Sequence, residues 1–332
     1  MQRRKPMTFR KLMRNTALAG IIIAGCPAGT MAEGARIAIV GGKADDPFFA
    51  KVKRGVDDAG QLVTARGGSV NYPALQSCDN LGPDAAELIR TAVSQNVDGI
   101  AAPNWVPEAQ DQALQAARDA GIPVLLCNAG GTEKAQELGA INYVGTKDYS
   151  AGLAAGEYAS RNGAKNVLCV NTFPEAANLE ARCKGIIDAA TENGAAARQL
   201  PLPASSFGDP TAVSEAIKAT LLQDDSIDAV ITQGSQHANS GASAIAQSGA
   251  AERVMLGTFN LDGASLYRIK DGTQAFAVDQ LGYMQGYLAV FLLDSYVNYA
   301  MDPPSKPILT GPVIVDAANI DATIAGVDAG AC

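Results

Sequence analysis

Apolar residues in this chain follow two alternating rhythms. Short aliphatic runs such as Ile37-Ala38-Ile39-Val40 give way to longer stretches with an apolar residue every three or four positions. Phe49, Val52, Val56, Ala59 and Val63 line one face of a helix expected over 48–66, and Asp45-Asp46-Pro47 supplies an acidic cap and a first-turn proline. The same pattern predicts strands over 37–40, 70–72, 99–102 and 123–127, with helices over 84–94 and 109–120. A second series has strands over 166–170, 229–232 and 254–258 and helices over 178–193, 211–223 and 238–248, with a Pro- and Ser-rich link after Asn193.

The second series repeats the first. Arg36–Val40 has its counterpart in Asn166–Val170, Arg54-Gly55 in Lys184-Gly185, and Val97-Asp98-Gly99-Ile100 in Ile227-Asp228-Ala229-Val230, each at an offset of 130. Val124–Asn128 returns as Val254–Asn260, with Asn128 and Asn260 132 apart. Alternating strands and helices imply parallel sheets with helices on both faces. The expected fold class is therefore α/β, with two similar doubly wound parallel-sheet lobes joined by a multi-strand hinge. Ligands of such sheets gather beyond the carboxyl ends of the strands. Here those are the segments after Val40, Ala102, Cys127, Val170, Thr232 and Phe259.

Residues 1–32 read as a secretory signal peptide: six basic residues and no acid, then a short apolar run from Ala17 to Gly25. That run is too short to span a bilayer. Cleavage after Ala32 is expected, with lipid anchoring at Cys26 and twin-arginine export through Arg3-Arg4 as alternatives. Loss of 1–32 takes six of the 26 basic residues and none of the 34 acidic ones, so the mature net charge is −14. An acidic surface excludes a nucleic-acid partner, whose phosphates require a basic face.

Cysteine and motif content narrow the chemistry further. Cys169 and Cys183 fall on a strand and the helix after it, and are either a disulfide or two small buried apolar side chains. His237 is the only histidine, so a zinc site of the usual ligands is not expected, and it reads as a solvated residue at a helix start. Gly41-Gly42-Lys43-Ala44-Asp45-Asp46 lacks dinucleotide-binding spacing, and neither a phosphate-binding P-loop nor a G-x-S-x-G elbow occurs. No enzyme, cofactor or metal is expected.

The chain resembles the ribose-type periplasmic substrate-binding proteins of sugar ABC transporters, of the type I periplasmic binding protein fold. The resemblance rests on Asp46-Pro47-Phe48-Phe49 with Lys53-Arg54-Gly55, on Val97–Ile100 with Pro103, and on Ala120–Val124. It continues through Tyr143-Val144-Gly145, Gly152, Gly156, Arg182 with Gly185, and Gly257–Asn260. It implies a sugar held between two lobes, its apolar faces covered by rings and its hydroxyls met by planar polar side chains. Carried over by position, the ligand set is Asp46, Phe48, Phe49, Trp105, Asn128, Glu180, Arg182, Ser235, Asn260 and Gln280. The alternative readings are core for Phe48 and Phe49, a lobe-edge cover for Trp105 and the partner of a carboxylate for Arg182. Ribose binders place aspartates at 128 and 260, arginines at 129 and 180, and an asparagine at 234 or 235. The ligand implied is therefore a related pentose, hexose, deoxysugar or polyol rather than ribose.

The resemblance also implies an N-terminal lobe of 33–142 plus 281–312 and a C-terminal lobe of 143–280 plus 313–332, with chain crossings near 142, 280 and 312. The expected protein is a monomeric periplasmic solute carrier that closes on its ligand and delivers it to a membrane permease. The alternative is a receptor subunit that presents its ligand to a sensor or chemoreceptor. A two-lobed transcription regulator is excluded, since the head of the chain carries export signals instead of a DNA-binding unit.

Overall fold

A computed structural model describes residues 34–328, so the expected signal segment and Cys26 lie outside the described residues. The first series comprises β1 (Arg36–Ile39), α1 (Pro47–Ala65), β2 (Ser69–Asn71), α2 (Leu81–Ser94), β3 (Gly99–Ala102), α3 (Pro107–Asp119), β4 (Val124–Cys127), α4 (Gly131–Glu137) and β5 (Tyr143–Gly145). The second comprises α5 (Asp148–Arg161), β6 (Asn166–Asn171), α6 (Ala177–Glu192), β7 (Ala196–Pro201), α7 (Pro210–Gln223), β8 (Ala229–Thr232), α8 (Ser235–Gln247), β9 (Met255–Phe259), α9 (Gly263–Asp271) and β10 (Phe276–Asp279). The chain ends with α10 (Gly282–Tyr299), β11 (Ile308–Leu309), β12 (Val313–Asp316) and α11 (Ile320–Asp328).

The sequence repeat is a repeat of topology. Strand order is β2-β1-β3-β4-β5-β11 in one sheet and β7-β6-β8-β9-β10-β12 in the other. All neighbours are parallel except β10 and β12. This is the doubly wound order, in which the direction of winding reverses between the first and third strands of each lobe.

Two helices change sides. α5 follows the first sheet yet its Ala151, Ala155 and Ala159 pack with Cys183, Ile186 and Ala190 of α6 in the second lobe. α10 follows the second sheet yet its Ala289, Val290 and Leu293 pack with Val56, Ala59 and Val63 of α1 in the first. The chain therefore crosses between lobes after β5, after β10, and between β11 and β12. Because β5 pairs with β4, residues 143–145 lie with the first lobe, three residues beyond the expected boundary.

Both side-changing helices approach their neighbours through the repeated glycine. A Cβ at Gly55 would lie 2.0 Å from the Tyr283 carbonyl of α10, and one at Gly185 would lie 2.3 Å from the Tyr149 carbonyl of α5. The link expected after Asn193 is in fact β7, paired with β6 over six residues. Its Ala-Ala-Arg-Gln-Leu-Pro lacks β-branched residues, and pairing at the sheet edge overrides that weak local preference.

Candidate ligand-binding site

The carboxyl ends of the central strands of both sheets meet at an interlobe cavity that leaves about 80 Å³ for the centres of water-sized molecules. Three direct hydrogen bonds join the lobes around it. Lys51 Nζ donates to the Leu261 carbonyl at 3.0 Å, Gln236 Nε2 to Asp46 Oδ2 at 3.1 Å, and the Ala177 amide to the Trp105 carbonyl at 2.9 Å.

In the first lobe the start of α1 builds the wall. Asp46 is its N-cap, and Oδ1 accepts from the amides of Phe48 at 2.8 Å and Phe49 at 3.2 Å. Burial raises the Asp46 carboxyl above the usual carboxylate range, opposed by those amides and by Gln236. The capping turn sets Phe48 and Phe49 edge to face at 5.2 Å, and Phe49 meets Trp105 edge to face at 5.8 Å. Phe49 also lies flat enough on Gly42 that a Cβ there would come within 2.3 Å of its ring. Trp105 Nε1 donates to Asn128 Oδ1 at 3.1 Å, which ties the loop after β3 to the end of β4.

In the second lobe a buried chain of side chains runs toward the cavity. Arg182 Nε donates to Asp148 Oδ1 at 2.8 Å and Nη2 to Gln280 Oε1 at 2.6 Å, and Gln280 Nε2 donates to Asn260 Oδ1 at 2.6 Å. The Arg182 guanidinium also sits 4.8 Å from the Phe259 ring centre. Burial pushes Asp148 up to about 6, against the pull of Arg182 beside it. Phe173, Phe207 and His237 supply this lobe's apolar wall, with Phe207 and His237 edge to face at 5.1 Å. The charged groups on the lining are Lys43, Asp46 and Arg182. Lys43 is paired with Asp45 and Arg182 with Asp148, both at 2.8 Å, so the two cations are neutralised by residues of their own lobes.

Of the ten residues carried over, Asp46, Phe48, Phe49, Trp105, Asn128, Arg182, Asn260 and Gln280 line the cavity. Glu180 and Ser235 do not. Glu180 faces the sheet edge, where Oε1 accepts from Asn171 at 2.9 Å and Gln199 at 3.1 Å. Ser235 begins α8 enclosed in protein, its hydroxyl without a partner. Lining residues outside the expected set include Asn178, Leu179, Gln233 and Gln236. Asn178 and Leu179 lie 130 residues after Phe48 and Phe49, so the repeat offset was the signal that marks them.

His237 is not the solvated residue expected. It is 2% exposed, with Nε2 3.1 Å from the Phe207 carbonyl and Nδ1 3.4 Å from Thr172 Oγ1, and burial pushes it down to about 4. Cys169 and Cys183 are joined in a disulfide, their Cα atoms 5.6 Å apart, and Gln233 Nε2 lies 3.0 Å and 3.4 Å from the two sulfurs. Among the described residues no cluster of His, Cys, Asp and Glu could hold a metal ion, and no helix is long and apolar enough to cross a membrane.

Comparison with known proteins covers most of the chain. A family model described as a periplasmic binding protein domain matches residues 37–300. The xylose/arabinose-binding protein XylF of Sulfolobus acidocaldarius is 25% identical over 272 residues, which are 76% of this chain and 63% of that relative's length. A carbohydrate transporter from Acidothermus cellulolyticus 11B, solved in complex with myo-inositol, aligns with a TM-score of 0.80 at 30% identity, covering 90% of this chain and 99% of that one. A solute-binding protein of an ABC transporter from Burkholderia graminis C4D1M, in complex with D-arabinose, aligns with a TM-score of 0.75 over 87% of this chain and 97% of its own. At 22% identity that last likeness concerns the fold alone. With its repeat, its two doubly wound lobes and a family match spanning nearly all of both, the chain belongs to the periplasmic binding protein family.

Proposed function

We propose that this protein is an exported, periplasmic solute-binding protein that takes a neutral sugar or cyclic polyol of monosaccharide size into the interlobe cavity. The observation that carries the reading is the make-up of that cavity: aromatic rings on both lobes, amides between them, and cations neutralised by their own lobes. A polyol has apolar C–H faces for the rings and hydroxyls for the amides. The relative solved with myo-inositol and the one named for xylose and arabinose support the same class. The three chain crossings act as a hinge, and the ligand stabilises the closed form by touching both lobes at once. The closed protein then docks as a monomer on the permease of an ABC transporter and releases its cargo there.

The test is a thermal-shift and calorimetric screen of residues 33–332 against myo-inositol, D-arabinose, D-xylose and D-glucose. A ligand at a hundredfold excess over Kd adds about 2.7 kcal/mol to native stability. One strongly shifted ligand, accompanied by compaction in small-angle scattering, is the expected result. A flat response of folded, ligand-free protein to every sugar and polyol overturns the reading.

A further inference from the structure

The asparagines that end β4 and β9 share an uncommon backbone. Asn128 has φ of 62° and Asn260 of 65°, the left-handed region that asparagine enters more readily than other side chains with a Cβ. A turn explains why each is asparagine. It does not explain which way the amide points.

The direction follows from the partners. An amide oxygen and nitrogen are told apart by what they bond, and both arginine and the tryptophan indole can only donate. Arg182 donates to Gln280, so the Gln280 oxygen faces Arg182 and its NH2 must face Asn260. Asn260 therefore meets Gln280 with its oxygen and leaves its own NH2 for the cavity. In the first lobe the Trp105 indole fixes the Asn128 oxygen at 3.1 Å. The Asn128 NH2 is left with a long 3.5 Å contact to Gln285 Oε1. Two unrelated donors thus impose the same polarity on two repeat-related asparagines.

We infer that the site reads its ligand with a matched pair of asparagine NH2 donors, one from each lobe, whose direction is set by Trp105 and Arg182. This rests on the polyol reading above and sharpens it. The two ligand oxygens between the lobes serve as hydrogen-bond acceptors at these asparagines, the reverse of what aspartates there would demand. Asp148 is the positioning residue behind the second donor, since it holds Arg182 at 2.8 Å. Trp105 and Asn128 both belong to the first lobe, whereas Arg182 and Asn260 belong to the second and Gln280 to the crossing beside it. The polarity is therefore set before the lobes close, and closure does not have to orient the amides.

Two measurements decide it. In ligand-free protein, side-chain NH2 signals are assigned with Asn128→Asp, Asn260→Asp and Gln280→Glu, and their hydrogen exchange is followed by NMR. Slow exchange at Gln280 with fast exchange at Asn128 and Asn260 is expected; protected asparagine NH2 groups with a fast-exchanging Gln280 overturn the inference. The second measurement uses monodeoxy- and monofluoro-myo-inositols, because fluorine can accept a hydrogen bond weakly but cannot donate one. At the positions facing the asparagines the wild type ranks fluoro above deoxy, and the deoxy compound binds about 10- to 100-fold less tightly than myo-inositol. Asn260→Asp presents an acceptor instead and inverts the ranking at its position. An unchanged ranking refutes the assigned polarity. If no sugar or polyol binds, the proposed function falls, while the exchange measurement still decides the direction of the amides.

Discussion

Burial of His237 ties the stability of the second lobe to pH, with a sign that can be worked out. The imidazole titrates at about 4 in the folded chain against 6.5 for an unburied histidine. Between those values the unfolded chain binds a proton that the folded chain does not, so stability rises with pH through this window. Well above pH 6.5 neither state is protonated and the cost vanishes. Below about 4 the cost is complete, and a difference of two to three pH units amounts to about 3 kcal/mol. Two buried carboxyls elsewhere in the chain act the other way. Asp148 is raised to about 6 and Asp46 is raised as well, so the folded chain keeps protons that the unfolded chain has lost. Their contribution is present below the ordinary carboxylate value and fades as pH rises through the folded one. In the wild type the opposing slopes offset each other between about pH 4 and 6.5. Replacing His237 with Gln keeps a donor for the Phe207 carbonyl and removes only the titration. Urea midpoints followed by circular dichroism across that range should then show the variant losing stability as pH rises, relative to the wild type. Parallel curves for the two proteins would mean that His237 titrates as an exposed histidine does, and would refute the argument.

Three further perturbations have definite outcomes. Gly185→Ala puts a Cβ 2.3 Å from a backbone carbonyl, so α5 and α6 must separate by about an ångström to reach ordinary contact at 3.4 Å; overpacking of this kind costs about 1–3 kcal/mol in denaturant titration. Gly208→Ala, with nothing within 4 Å, serves as the neutral control, and equal effects of the two would contradict the packing account. Removing the Cys169–Cys183 disulfide by double alanine substitution opens a 14-residue loop and lowers stability by about 3 kcal/mol; an unshifted midpoint under oxidising conditions would show that the bond contributes nothing. Lys51→Met deletes the 3.0 Å bond to the Leu261 carbonyl across the cleft and should speed ligand release about three- to tenfold in stopped-flow displacement, whereas an unchanged rate would exclude that bond from holding the lobes together.

The repeat made most of the architecture legible, because a constant offset carries strand order and helix contacts from one lobe to the other. Val97–Ile100 and Ile227–Val230 announced equivalent central strands, and Gly55 and Gly185 announced equivalent helix crossings. The side changes of α5 and α10 were implied by the lobe bounds of the family resemblance and not by the pattern itself, since one-dimensional periodicity records which face is buried and not against which sheet. Within the site, Asn128 and Asn260 stood out through duplication. Glu180 was misplaced for a geometric reason: with 3.6 residues per turn, it and Arg182 are about 200° apart around α6, so only one of them can face the cavity. His237 misled because a polar residue at a helix start is usually solvated, and here the Phe207 loop covers it. Gln233 and Gln236 carry no pattern of their own, and only the fold brings them to the cavity.

The proposed hinge and the candidate binding site share side chains. Gln280 belongs to the second crossing and also carries the contact between Arg182 and Asn260. Its backbone carbonyl accepts from Gln285 Nε2 at 3.1 Å, and the same nitrogen donates to Thr310 Oγ1 beside the third crossing, also at 3.1 Å. Asp148, just past the first crossing, anchors Arg182. The first two crossings therefore each send one polar side chain to a group that lines the cavity, and the third reaches the lining indirectly, through Gln285 and its contact with Asn128. Under the proposed hinge closure, a rotation about the crossings would act on the Gln280 and Gln285 bonds that lie beside the asparagines, without having to set the direction of their amides. In the proposed mechanism, ligand selectivity and lobe closure therefore draw on one hydrogen-bond network.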